Sequence, residues 1–360
     1  MAAAALFVMI GYGLASCGSG SPGPTAEQSD QRPTVTVPVD LPVTISIAGR
    51  FANQTLAVLD EQVAAFEARN PDIKIEVVRA PRDPFQRRKW VGSLLGERDT
   101  SVDIYVLDAA WPAELAADGG LIPLDGRLAA QGIRPEVFLA STLQANSVDG
   151  HLVAFPWTAD SGLLFYRRDL LGRYGFAPPT SWEELRDVSL AIKAGETMRY
   201  GFVWPGAADE DLTCSTLEHL WSRSPEKLDA PENGLANPIQ MREALGQMKG
   251  LVDSGASPKD IAAYDQWAAR TAFRNGEAIF LRDWYSAWDN LNSSESPVAG
   301  QTGMAPLPAG CLGGQSLGLS AYSLHPDEAT RFMTFLSGYD QQAKLATAEG
   351  QLPALEAVYD

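Results

Sequence analysis

The chain is short of the residues from which much metal and redox chemistry is built. It has three cysteines and three histidines in 360 residues. His151, His219 and His325 lie far apart, and none has a second His or Cys at metal-ligand spacing. No metal centre and no cofactor is expected. Positive charge is also scarce: 28 Lys and Arg stand against 45 Asp and Glu, a formal net charge of -17. Such a surface repels phosphate backbones and anionic headgroups, so nucleic acid and direct electrostatic attachment to a membrane are not expected. It suits a neutral ligand, although acidity of this kind also serves plain solubility. Long apolar runs are missing too. The run Leu6-Phe7-Val8-Met9-Ile10 falls far below the ~20 residues of a membrane-spanning helix.

What is present is an ordinary globular composition, 45% hydrophobic and 20% charged. A chain of 360 residues is too long for one compact core and suits two domains. Near its start, the apolar run is followed by Leu14-Ala15-Ser16-Cys17. A short apolar core ending in small residues reads as a secretory signal over residues 1–17. The tetrad resembles the bacterial lipobox, which implies cleavage before Cys17 and diacylation of its thiol. Residues 18–41 are rich in Ser, Gly, Pro, Thr and Gln, without apolar periodicity, and read as a flexible tether. A coil of that length spans on the order of 25–30 Å. Cys214 and Cys311 remain. Outside the cytoplasm they are a disulfide candidate, with two free buried thiols as the alternative.

From Pro42 onward the pattern becomes regular. Val43, Ile45 and Ile47 alternate as a strand, and Leu56, Leu59, Val63 and Phe66 recur at helical spacing up to Asn70-Pro71. Ile73, Ile75 and Val77 alternate again. This is a βαβ unit, so its strands should be parallel. A helix is expected over residues 85–95, then a short strand, Ile104-Tyr105-Val106-Leu107, running into Asp108. Another helix should follow from Trp111. Ligands of open parallel sheets sit beyond the carboxyl ends of the strands. Arg50, Asn53 and Asp108 hold such positions, with loop capping as the alternative reading. Farther on, Ser181 and Glu184 form a capping box for a helix beginning at Trp182.

Several stretches, taken in order, carry a family resemblance. They are Phe66-Glu67-Ala68-Arg69-Asn70-Pro71-Asp72-Ile73; Asp103-Ile104-Tyr105 through Asp108 and Trp111; and Gly120-Leu121-Ile122-Pro123-Leu124-Asp125. Phe155-Pro156-Trp157-Thr158-Ala159-Asp160-Ser161-Gly162 leads into an apolar strand. Later come Phe273-Arg274-Asn275-Gly276-Glu277-Ala278, Trp284, Pro306-Leu307-Pro308 and Leu312-Gly313-Gly314. In this order they resemble the extracellular solute-binding proteins of carbohydrate ABC importers, of the maltose/trehalose-type group.

The resemblance implies an α/β, two-lobed periplasmic-binding-protein-like fold with discontinuous domains and a ligand cleft between the lobes. Lobe 1 would comprise residues 42–157 plus 312–350, and lobe 2 residues 158–311 plus 351–360. Family members continue beyond the point where this chain stops, with further helices of the second lobe. The implied ligand is a small neutral oligosaccharide, and the implied partner is an ABC permease. The protein would be a monomer at the outer face of a bacterial cytoplasmic membrane, held by the lipid on Cys17. By motif, Asp108, Asp160, Glu210, Trp284, Tyr285, Gly313 and Gly314 are carried over as ligand residues. Gln315 stands where trehalose-type members usually carry Trp.

The chemistry of a sugar agrees with that set. Carboxylates accept two hydroxyl hydrogen bonds at once, and aromatic faces cover apolar C–H surfaces. Of nine tryptophans, several stand beside acids: Trp111, Trp157, Trp204 and Trp284 join the candidate site. Core packing is the alternative for each. Trp90, Trp182, Trp221 and Trp267 fall inside helical patterns and are assigned to the core. Two enzymatic readings compete. Gly314-Gln315-Ser316-Leu317-Gly318 matches a nucleophile elbow, but a strand pattern follows the serine where a helix is needed. Asp108, Asp160 and Glu210 could supply a glycosidase pair, but binding alone uses the same residues. A polyol, a glycerol phosphate or an unusual glycoside is the alternative ligand.

Overall fold

The computed structural model describes residues 42–51, 53–223, 238–349 and 351–359. The signal, Cys17 and the tether lie outside the described residues. The chain begins with β1 (Val43–Gly49), α1 (Asn53–Arg69) and β2 (Ile73–Arg79), and the two strands pair in parallel as the βαβ pattern requires. Next come α2 (Pro84–Gly96), β3 (Ile104–Asp108) and α3 (Pro112–Ala117). Asp83 caps α2 by accepting from the Gln86 N–H at 2.8 Å, and Pro84 needs no such bond.

The first sheet has five strands in the order β2, β1, β3, Gln315–Leu319, Phe155–Pro156. Central β3 is covered on both faces and reads as an unbroken apolar run, Ile104-Tyr105-Val106-Leu107, whereas β2 nearer the edge alternates Ile73, Ile75 and Val77 with more polar residues. Ile104 and Val106 enter one core with Ile45, Ile47, Phe66 and Phe332. Tyr105 and Leu107 turn the opposite way, into a core with Val91, Leu95 and Trp111.

The second sheet is built on the long strand Thr158–Arg167, flanked by Thr302–Pro306 and Ala278–Trp284, with Tyr200–Val203 beyond. It too is covered on both sides: Leu164 packs with Trp182, Phe202 and Phe280, while Phe165 packs with Phe273 and Leu281. The helix Trp182–Gly195 starts at Ser181, whose hydroxyl accepts from the Glu184 N–H at 3.1 Å. The return bond of the expected capping box goes one residue earlier: the Glu184 carboxylate accepts from the Thr180 N–H at 2.8 Å.

The two lobes are joined by chain segments that change sheet abruptly. Phe155–Pro156 belongs to the first sheet and Thr158 opens the second. On the return, Leu312–Gly313 pairs with Ser161 and Asp160, and Gln315 re-enters the first sheet. Gly314 sits between, at φ 100°, where a Cβ would stand 2.3 Å from the Thr158 carbonyl oxygen. Glycine is the residue that fits both demands. The end of the chain, assigned above to the second lobe, packs Ala354 and Leu355 into the first core. Leu352–Pro353 meanwhile pairs with Thr158 and Ala159 of the long strand.

Candidate functional site

Asp108 ends β3, and its carboxylate points to where the two lobes meet. It accepts from the Arg87 guanidinium at 2.6 Å and from the Gln315 amide at 3.3 Å. Arg87 is only 4% exposed. Its fork is fixed by donation to the Pro81 and Arg82 carbonyls at 3.2 and 3.0 Å, and it lies 5.3 Å from the Trp111 ring centre. The Trp111 indole lies near Glu210, the first residue of the helix Glu210–Trp221, and favours its ionised form. Burial pushes the Glu210 carboxyl up to about 7, and the charges of Asp108 and Asp211 add to the effect. A contact between Trp111 of the first lobe and Glu210 of the second thus bridges the lobes.

A second group forms at the crossovers. Asp160 accepts from the backbone N–H groups of Ser161 and Tyr285, each at 2.8 Å, with Ser286 nearby also favouring its ionised form. Burial still outweighs these bonds and pushes its carboxyl up to about 6. Trp284 donates to Asp211 at 2.7 Å, and the Arg282 guanidinium lies 4.2 Å from its ring centre. At Gly313 a Cβ would come 2.7 Å from the Trp284 ring and 3.2 Å from Asp160 Cβ. Close approach of backbone to indole therefore needs a glycine there. Asp211 neighbours Glu210, so Asp108, Trp111, Glu210, Trp284, Gly313 and Asp160 form one continuous series across the junction.

Other candidates fall elsewhere. Trp157 is 1% exposed within the first core, and its indole N–H has no partner among the described residues. Trp204 is packed in the second core, donating to Ser257 at 3.2 Å. Both are core residues, because each continues or flanks a strand buried on both sides. Asn53 opens α1, and its side chain lies outside the described residues. Ser316 is buried mid-strand between Leu107 and Pro156, so there is no nucleophile elbow. Cys214 and Cys311, the candidate disulfide, are free thiols close enough to affect each other's ionisation.

Two residues were missed. Arg87 is charged and helical, which in a sequence suggests a solvated face, and only its pairing with Asp108 makes burial tolerable. Trp267, expected in the core from its helical spacing, is 46% exposed. It sits in the first turn of the helix Gln266–Arg274, whose buried face is Ala269, Ala272 and Phe273. The Arg50, Arg82 and Arg270 guanidiniums surround its ring at 6.0, 6.0 and 4.8 Å from the centre. Among the described residues no cluster of His, Cys, Asp and Glu could hold a metal ion, and no helix is long and apolar enough to cross a membrane.

Residues 52–343 match the family described as bacterial extracellular solute-binding protein. The chain belongs to that family. This solute-binding protein is 32% identical, over 79% of its length and 70% of the relative's, to a probable ABC transporter-binding protein of Deinococcus radiodurans. Among solved structures it superposes on maltose-bound MalE3 of T. maritima with a TM-score of 0.79 and 35% identity, covering 88% of this chain and 83% of that one. The sugar-binding protein MalE of Xanthomonas citri gives 0.73 and 26%, covering 88% and 80%. The family and these relatives are binding proteins, so the chain is an extracellular solute-binding protein and not an enzyme.

Proposed function

We propose that the protein captures a small oligosaccharide, a disaccharide such as maltose or trehalose, where its two lobes meet, and presents it to an ABC import permease. The observation that carries this reading is the series from Asp108 through Trp111 and Glu210 to Trp284 and Asp160, drawn from both lobes. Carboxylates beside indoles match a ligand with hydroxyl edges and apolar faces. Ligand hydroxyls that bridge the lobes would stabilise a closed state, with hinges at the Trp157–Thr158 and Gly313–Gln315 crossovers. The lobes proper are then residues 42–157 with 312–350 and residues 158–311. The protein works as a monomer, tethered through residues 18–41 to a lipid on Cys17. A thermal-shift screen against mono- and disaccharides tests the reading, because a ligand that binds the folded state raises its melting temperature. A melting temperature unmoved by every neutral and charged sugar at high concentration would contradict it.

A further inference from the structure

The charge around Trp267 is the reverse of the charge of the molecule. In a chain of net charge -17, four arginines gather at one end of the junction between the lobes. Arg87 and Arg270 are neutralised. Arg87 donates to Asp108 at 2.6 Å, and Arg270 grips Asp283 with two bonds of 2.7 and 2.8 Å. Arg50 and Arg82 are not: among the described residues neither guanidinium has a hydrogen bond or a carboxylate partner. Arg82 is exposed, but Arg50 is half-buried. Burial, with the charges of Arg87 and Arg82 adding, draws the Arg50 guanidinium below its ordinary value, and the one nearby acid, Asp108, is already held by Arg87.

An unpaired, partly desolvated guanidinium beside other guanidiniums is a costly arrangement. Arg50 follows β1 and Arg82 precedes α2, so both belong to the first lobe, while Trp267 and Arg270 belong to the second. A group with negative charge placed here would relieve the repulsion and tie the lobes together. Guanidinium forks fit oxyanions in two-point contacts. The half-exposed Trp267 indole beside them offers a flat apolar face to the ring that carries the charge.

We propose that the preferred solute is a sugar bearing an oxyanion, a phosphate ester above all, with the anion held by Arg50 and Arg82 beside Trp267. This rests on the carbohydrate reading given above and specifies the substituent. The neutral part of the solute would lie along the series from Asp108 to Trp284.

The test is calorimetric titration of the wild-type protein at moderate salt with trehalose, trehalose 6-phosphate, glucose, glucose 6-phosphate and inorganic phosphate, repeated with the double variant Arg50→Gln/Arg82→Gln. The expected result is that at least one phosphate ester binds about tenfold or more tightly than its neutral parent. The double variant should lose that preference, binding the ester no more tightly than its neutral parent. Esters binding no better than their parents would overturn the inference and leave the carbohydrate reading standing. Inorganic phosphate binding as tightly as the esters would support the anion subsite and contradict the carbohydrate reading. Failure of every compound to bind would overturn both.

Discussion

Gly314 and Thr158 touch where the chain passes between the lobes in both directions. The glycine has φ 100°, and any side chain would begin 2.3 Å from the Thr158 carbonyl oxygen. The neighbouring Gln315 N–H is bound at 3.0 Å by the Thr158 hydroxyl. The two crossovers are thereby held against each other at the point about which the lobes would move. Gly314→Ala should cost at least about 1–3 kcal/mol from backbone conformation alone, with the clash added. Urea denaturation of the variant measures it, and an unchanged midpoint would mean that the crossover relaxes freely.

The Arg282–Glu218 pair is the second point of mechanical importance. Its closest bond is 2.6 Å, and the side chains are 1% and 0% exposed. Removing one partner leaves the other charged and dry. Arg282→Met should destabilise the fold by roughly 3–5 kcal/mol. Replacing both residues together, Arg282→Met with Glu218→Leu, should cost much less than either single change would suggest. Equal losses in the single and double variants would show that packing, not charge, dominates there.

Acidity at the junction gives a pH signature. The Glu210 carboxyl moves from its ordinary 4.5 up to about 7, and Asp160 from 3.8 up to about 6. Between each pair of values the folded protein holds a proton that the unfolded chain has released. Stability from these groups is therefore greatest below the lower value and falls as pH rises through the window. Glu210→Gln should flatten the slope between about pH 4.5 and about pH 7. Denaturant midpoints across that range check it. A slope unchanged in the variant would assign the titration to other groups.

Cys214 and Cys311 come from segments far apart in sequence and meet as thiols beside Glu218, whose carboxylate accepts from the Cys311 N–H at 3.2 Å. The contact with Cys311, together with burial, pushes the Cys214 thiol upward, so spontaneous thiolate reactivity is low. A mild oxidant should nevertheless close the pair within one chain. Intact mass and thiol counting under denaturing conditions read this out. Two titratable thiols after oxidation would show that the disulfide expected from an extracytoplasmic location does not form.

Much of this was legible in the residues, and the failures have a common cause. Period-two runs gave the strands, and β3 ends at Asp108 where its apolar run gives out. Direction was what the pattern left open. Trp157 and Trp204 stand beside acids in sequence, yet strand alternation turns both indoles into cores. Trp267 looked like a core residue at helical spacing, yet it lies off the buried face of its helix. Arg87 and the arginines around Trp267 carry no local signature, since only tertiary pairing separates a buried guanidinium from a solvated one. Residues 1–41, which carry the lipidation and tether readings, fall outside the described residues.

Titration of disaccharides into the wild-type protein and into Asp108→Ala, followed by calorimetry, tests the proposed site most directly. Saturable one-to-one binding should be weakened in the variant by about 1.5–3 kcal/mol, the loss expected for a charged hydrogen-bond acceptor. Sugar binding of undiminished strength in the variant would place the ligand elsewhere and contradict the site described here.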